Sequence, residues 1–217
     1  GHALHTFRGH DKDVSSLAID PTNKYLASAS YDGTVRVWIQ ETNEPVIVHQ
    51  STDSKLYELS FPPSARQTIF SYVGDSTIYF YYIDETNGEY HAKLIQREFI
   101  EEGIRDTAWS PGGAVVAIGA ASGTIFLVAL PSVQSVDQDV DILGAEMGIA
   151  SMLPLSSSIV QTLKGHRQSV TCVSWSKNGK KLVSGSKDGN CLVWEYLGVE
   201  RGFVMKRTCK FNGSSIN

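Results

Sequence analysis

Gly9–Trp38 reads GHDKDVSSLAIDPTNKYLASASYDGTVRVW, and Gly165–Trp194 reads GHRQSVTCVSWSKNGKKLVSGSKDGNCLVW. Both carry a Gly-His pair, a Leu-x-Ser-x-Ser run, an Asp-Gly turn and a Trp in the same order. In both, the histidine precedes the tryptophan by 28 residues, so His10 pairs with Trp38 and His166 with Trp194. A spacing that occurs twice in one chain marks a repeat architecture.

Within the first copy, Val14–Ile19, Lys24–Ser30 and Thr34–Ile39 alternate in the manner of strands. Asp20-Pro21-Thr22-Asn23 breaks the first two runs. Tyr31-Asp32-Gly33 breaks the next two, with Asp-Gly supplying the positive φ angles of a tight hairpin. The last copy repeats the plan over Val170–Trp175, Lys181–Ser186 and Asn190–Trp194. A further strand precedes each Gly-His, over Ala3–Phe7 and Ile159–Leu163. The unit is therefore four short strands in about 43 residues.

Two weaker copies lie between. Moving the first copy forward by 43 residues puts Ser28 on Ser71, Asp32 on Asp75, Trp38 on Tyr81 and His10 on Asp53. Moving the last copy back by 66 puts Trp175 on Trp109, Gly189 on Gly123, Trp194 on Val128 and His166 on Ile100. The apolar alternation survives over Leu56–Phe61, Ile69–Val73, Thr77–Ile83, Ile104–Trp109, Val115–Ala120 and Thr124–Leu130, while the polar signature decays. The repeats thus fall near 9–38, 53–83, 99–130 and 165–196, in one repeat domain over 1–217. Residues 131–158, rich in Ser and Asp and weakly periodic, read as an insertion.

The chain has 217 residues, 41% hydrophobic and 19% charged, the balance of an ordinary globular protein. A net charge of −4 argues against a protein whose main business is coating nucleic acid, and leaves that contact indirect or weak. No apolar run approaches the roughly 18 to 20 residues that span a bilayer, and the first residues lack a signal-peptide pattern. The expectation is an intracellular protein, cytoplasmic or nuclear, with no membrane partner. Cys172, Cys191 and Cys209 are odd in number and form no CxxC pair, which suits reduced thiols.

The intervals of His, Ser, Asp and Trp, closing on Val-Arg-Val-Trp and Cys-Leu-Val-Trp, resemble the WD-repeat β-propeller family. The Asp of the family name is absent, because Ile39 follows Trp38 and Glu195 follows Trp194. The resemblance implies an all-β fold, a β-propeller of four-stranded antiparallel blades with four recognisable repeats. The family usually closes with seven, so it also implies part of a larger ring completed by further blades or another subunit. His5–Trp38 and the Thr107-Ala-Trp-Ser-Pro-Gly-Gly stretch look more narrowly like the N-terminal propeller of the acidic nucleoplasmic DNA-binding protein family, a replisome adaptor. Those resemblances imply a non-catalytic scaffold for protein–protein interaction and complex assembly, or a nuclear adaptor in DNA replication or chromatin complexes.

In such a blade His10, Ser28, Asp32 and Trp38 form one hydrogen-bonded set, and His166, Ser184, Asp188 and Trp194 form the other. A buried indole N–H, hydroxyl and imidazole each need partners, and a chain of bonds satisfies them together. Ser, His and Asp also compose hydrolytic triads. Here they repeat together with a Trp, and no Gly-x-Ser-x-Gly elbow exists, so the expectation is architecture rather than an enzyme. No cofactor motif is present. Asp137, Asp139 and Asp141 start like an EF-hand loop but meet Ile142 and Gly148 where Gly and Glu belong, and the remaining histidines lack ligand spacing, so no metal is expected.

The Gly-His loops and Asp-Gly turns join strands at the same blade end. That places Asp11, Lys12, Asp13 and Tyr31 from the first repeat, and Arg167, Gln168 and Lys187 from the last, on a candidate rim for protein or peptide partners.

Overall fold

The computed structural model describes residues 6–40, 45–63, 69–130 and 158–210. Among them are sixteen strands in four antiparallel sheets, each sheet made of four strands paired in chain order. No helix there is long and apolar enough to cross a membrane. The strands divide between two compact units, Gly1–Glu101 and Glu102–Asn217.

In the first unit one sheet comprises β1 (Val14–Ile19), β2 (Tyr25–Ser30), β3 (Thr34–Ile39) and β4 (Pro45–Gln50). The next comprises β5 (Glu58–Ser60), β6 (Ile69–Val73), β7 (Thr77–Thr86) and β8 (Glu89–Phe99). Alternation along β2 and β3 sends Ala27, Ala29, Val35 and Val37 to one face. There they bury against Leu59, Phe70, Tyr72 and Tyr79 of the following sheet. Ser16 fastens the two sheets, its hydroxyl accepting the Leu59 N–H at 3.0 Å and donating to the Leu59 carbonyl at 3.3 Å.

The second unit repeats the plan. Its first sheet holds β9 (Ile104–Trp109), β10 (Val115–Ala120), β11 (Thr124–Ala129) and β12 (Ile159–Lys164). Its second holds β13 (Val170–Trp175), β14 (Lys181–Ser186), β15 (Asn190–Tyr196) and β16 (Phe203–Lys210). Val115, Ala117, Ile125 and Leu127 pack against Val173, Leu182, Leu192 and Trp194. Between the sheets the Asp106 carboxylate accepts the Val173 N–H at 2.6 Å, and the Trp175 indole donates to the Ala108 carbonyl at 3.0 Å.

The turns follow their residues. Gly33, Gly123 and Gly189 adopt φ of +80°, +89° and +77°, the left-handed region that a hairpin after Asp or Ser demands. Asp20 ties the looser β1–β2 connection by accepting the N–H of Thr22 at 2.9 Å and of Tyr25 at 2.5 Å. Ser110 and Ser176 do the same for Val115 and Lys181 at 3.1 and 2.9 Å.

Three features differ from the sequence expectation. The segment Leu56–Phe61 contributes only the three-residue β5, and Thr77–Ile83 lengthens into the ten-residue β7, joined to β8 through Asn87-Gly88 at φ of +56° and +81°. The outer strands β4 and β8 have no counterpart among the runs read from the sequence; in β8 the period-two pattern is broken where exposed Leu94 follows exposed Lys93 and half-buried Gln96 follows half-buried Ile95. Ala3–Phe7 falls largely, and the 131–158 insertion almost wholly, outside the described residues.

Candidate functional site

The Asp-Gly turn bends the end of β2 back onto β3, and the Gly-His loop crosses the end of the same sheet. His10 thereby lies over the sheet with Nε2 2.8 Å from Ser28 Oγ and Nδ1 3.0 Å from Asp32 Oδ2. Trp38 donates its indole N–H to the same Ser28 oxygen at 3.2 Å. In the last sheet His166 lies 2.8 Å from Ser184 Oγ and 3.1 Å from Asp188 Oδ2, and Trp194 donates to Ser184 at 3.0 Å. The two braces are built alike.

Every donor in each set has an acceptor when Trp N–H donates to Ser, Ser O–H to Nε2, and Nδ1–H to the carboxylate. Burial would raise the carboxyl pKa of Asp32. The Thr34 hydroxyl, the N–H groups of Thr34 and Asp11, and His10 outweigh it, holding the group well below the usual range. Asp188 is likewise lowered, with burial opposed by the N–H groups of Arg167 and Asn190 and by His166.

The connectivity Ser–His–Asp is that of a hydrolytic triad, but the surroundings are not. Ser28 and Ser184 are 3% and 0% exposed, and each already accepts a tryptophan N–H, so neither oxygen is placed to attack a substrate. Ser30 and Ser186, two residues on, serve the turn, donating to the carbonyls of Lys12 and Gln168 at 3.3 and 2.9 Å.

The intermediate sheets lose the brace in two ways. At the positions that the repeat offset assigns in the third sheet stand Ile118 and Val128, both buried, so apolar side chains replace the Ser and Trp of the brace. The second sheet changes only in part. Ser71 remains, Tyr81 takes the Trp place, and Asp53 takes that of His10, its Oδ2 buried and without a hydrogen-bond partner. Asp75, the counterpart of Asp32, is exposed and accepts the Tyr57 hydroxyl at 3.1 Å. Burial first, and that bond second, raise the Tyr57 pKa.

The candidate rim residues lie beside these braces. The Tyr31 N–H donates to the Asp13 carbonyl, and the Lys187 N–H to the Ser169 carbonyl, both at 3.0 Å. Backbone is thus committed to the turn, while the side chains of Asp11, Lys12, Asp13, Arg167, Gln168 and Lys187 are exposed. Tyr31 is half-buried against Tyr57, ring centroids 6.0 Å apart. Tyr57 carries no signal in the sequence. The repeat offset marked Asp75, but a partner 18 residues upstream has no equivalent in the first copy.

A cleft of about 300 Å³ adjoins the second brace, lined by Arg167, Asn190, Leu192, Met205, Thr208 and Lys210, and it contains no catalytic constellation. Cys172, Gly185, Cys191 and Cys209 form one row across β13–β16, with all three thiols free. Among the described residues no group of three or more His, Cys, Asp or Glu could hold a metal ion.

Comparison with known proteins adds the following. The sequence profile of the family described as "WD domain, G-beta repeat" matches residues 1–38 and 157–195, the two braced regions. Mouse "WD repeat and HMG-box DNA-binding protein 1" is 33% identical over 128 residues, 55% of this chain and 11% of that protein. Arabidopsis thaliana "Protein ROOT INITIATION DEFECTIVE 3" is 23% identical over 204 residues, 90% of this chain and 42% of that one. The chain therefore spans only a fraction of these relatives. Among solved structures, the β-propeller domain of Cps50 (Swd1) from Myceliophteria thermophila superposes with a TM-score of 0.63 at 12% identity, covering 96% of this chain and 61% of that one.

Proposed function

The chain belongs to the WD-repeat β-propeller family, and from that premise we propose that it is a non-catalytic scaffold whose rim holds protein or peptide partners in a complex. The observation that carries this reading is the fate of the Ser, His and Asp side chains. They are consumed in bracing, and the side chains beside them differ between two otherwise matching frames: exposed Asp11 against Arg167, exposed Lys12 against Gln168, and half-buried Tyr31 against exposed Lys187. A constant frame with variable side chains suits recognition, since rigidly held loops are where binding residues concentrate.

A narrower reading is an adaptor of DNA-associated complexes, acting inside the cell in nucleus or cytoplasm. Its support is the 33% identity to a protein named as DNA-binding. The net charge of −4 favours reaching nucleic acid through a partner.

Affinity capture with the tagged chain, repeated with Tyr31→Ala and Lys187→Ala, tests the scaffold. Partners lost from these variants at unchanged melting temperature are expected. Retention of every partner by both, or an esterase activity abolished in Ser28→Ala at unchanged stability, overturns it.

A further inference from the structure

Within the first unit one local arrangement occurs twice. Tyr25 and Tyr90 stand edge to face, centroids 6.3 Å apart at 75°, and the Tyr90 hydroxyl donates to Glu85 at 3.1 Å. Tyr31 and Tyr57 stand 6.0 Å apart at 65°, and the Tyr57 hydroxyl donates to Asp75 at 3.1 Å. Each is two tyrosine rings near right angles with one hydroxyl tethered to a carboxylate.

The first arrangement encloses a lysine of the chain itself. Lys24 Nζ lies 2.8 Å from Glu85 Oε2, 4.9 Å from the Tyr25 ring centre and 5.7 Å from that of Tyr90. The chemistry is direct: an ammonium is attracted to the negative ring faces and neutralised by the carboxylate. At the second arrangement, among the described residues, no lysine or arginine lies over either ring or pairs with Asp75. Tyr57 is 46% exposed, and Asp75 is exposed too, with its other oxygen outside the Tyr57 bond. The segments around the site carry Asp11, Asp13, Asp53 and Asp75 against Arg8, Lys12 and Lys55, so the acidic groups outnumber the basic ones by one.

We propose that Tyr31, Tyr57 and Asp75 form a docking site for a lysine side chain of a partner protein. The ammonium approaches the tyrosine ring faces and pairs with Asp75, as Lys24 does with Tyr25, Tyr90 and Glu85. This deepens the scaffold reading and rests on it, by giving the chemistry of one contact on the rim. The corresponding place of the last repeat carries Lys187 in place of Tyr31, so the preference belongs to the first unit.

The test is fluorescence anisotropy with a fluorescein-labelled hexalysine peptide on the full chain at low ionic strength. Asp75→Asn and Tyr31→Ala are each expected to weaken binding about fivefold or more. Tyr31→Phe, which keeps the ring, should bind like the parent, and the fully Nε-acetylated peptide should not bind. Asp13→Asn removes the same charge outside the site and should weaken binding less than Asp75→Asn. The proposal is overturned if the parent does not bind, if Tyr31→Ala binds like the parent, or if Asp13→Asn costs as much as Asp75→Asn. Those failures leave affinity capture of other partners intact. Failure of the tagged parent chain to capture any partner, with hexalysine binding preserved, would instead sink the scaffold reading.

Discussion

The Ser28 oxygen accepts the Trp38 indole N–H at 3.2 Å while standing 2.8 Å from His10 Nε2, so one buried hydroxyl joins a strand to a loop 18 residues earlier in the chain. Ser184 does the same between Trp194 and His166 at 3.0 and 2.8 Å. A hydroxyl that donates one bond and accepts another acts as a relay, and its loss strands both neighbours.

Ser28→Ala and His10→Ala should therefore each destabilise the chain by about 1–3 kcal/mol, the cost of leaving buried polar groups unpaired. The double variant should cost clearly less than the sum, because both break the same relay. Chemical denaturation of the four proteins measures this. Strict additivity would mean that the bonds act independently.

Acid should loosen the braces. The folded-state pKa values of Asp32 and Asp188 lie below the ordinary carboxylate value, so their stabilisation is complete above about pH 4 and is lost as pH falls through the lowered values. Asp106 runs the other way. Burial, only partly offset by the N–H groups of Val173 and Thr107, raises its pKa, so its contribution is complete below the ordinary value and lost as pH rises through the raised one. Asp32→Asn should thus flatten the acid limb of a stability–pH profile, while Asp106→Asn should gain on the parent as pH rises from 3 towards 7. Parallel profiles for parent and both variants would contradict these assignments.

Gly74 is required by its neighbour and not by its backbone. A Cβ there would meet the Asp53 carboxylate and lie 2.8 Å from its Cβ, whereas its φ is not in the left-handed region. Gly74→Ala should cost about 1–3 kcal/mol by overpacking, and Asp53→Gly in the same chain should recover most of that. Thermal melts of the single and double variants decide it. No recovery would place the strain elsewhere.

Writing the signature back into the third sheet one residue at a time should fail. Ile118→Ser buries a hydroxyl among apolar neighbours and leaves a void where the side chain was fully buried, at about 2–4 kcal/mol. Denaturant midpoints would show it. A neutral or stabilising result would mean that the site already offers a polar partner.

Local chemistry made the strands around the two strong repeats legible. Period-two alternation places β1–β3 and β13–β15 without knowledge of their neighbours, and Asp-Gly specifies the hairpins because only a few residues tolerate positive φ. The His, Ser, Asp and Trp positions could be listed as a set because the duplication exposes them. The outer strand β8 carried a weaker signal, since its alternation of exposed and half-buried residues breaks at Leu94 to Gln96.

What tertiary structure alone decided is how the unsatisfied members of the pattern find partners. The sequence shows that Asp75 lacks a histidine at its repeat position. It does not show that Tyr57 supplies the bond, that Tyr31 stands edge to face with it, or that Lys24 fills the analogous pair formed with a hairpin 61 residues away. Strand period and turn preference are set within a few residues, so the chain spells them out locally. Side-chain pairing depends on which loops the folded sheets bring together, and that is fixed only when the sheets pack.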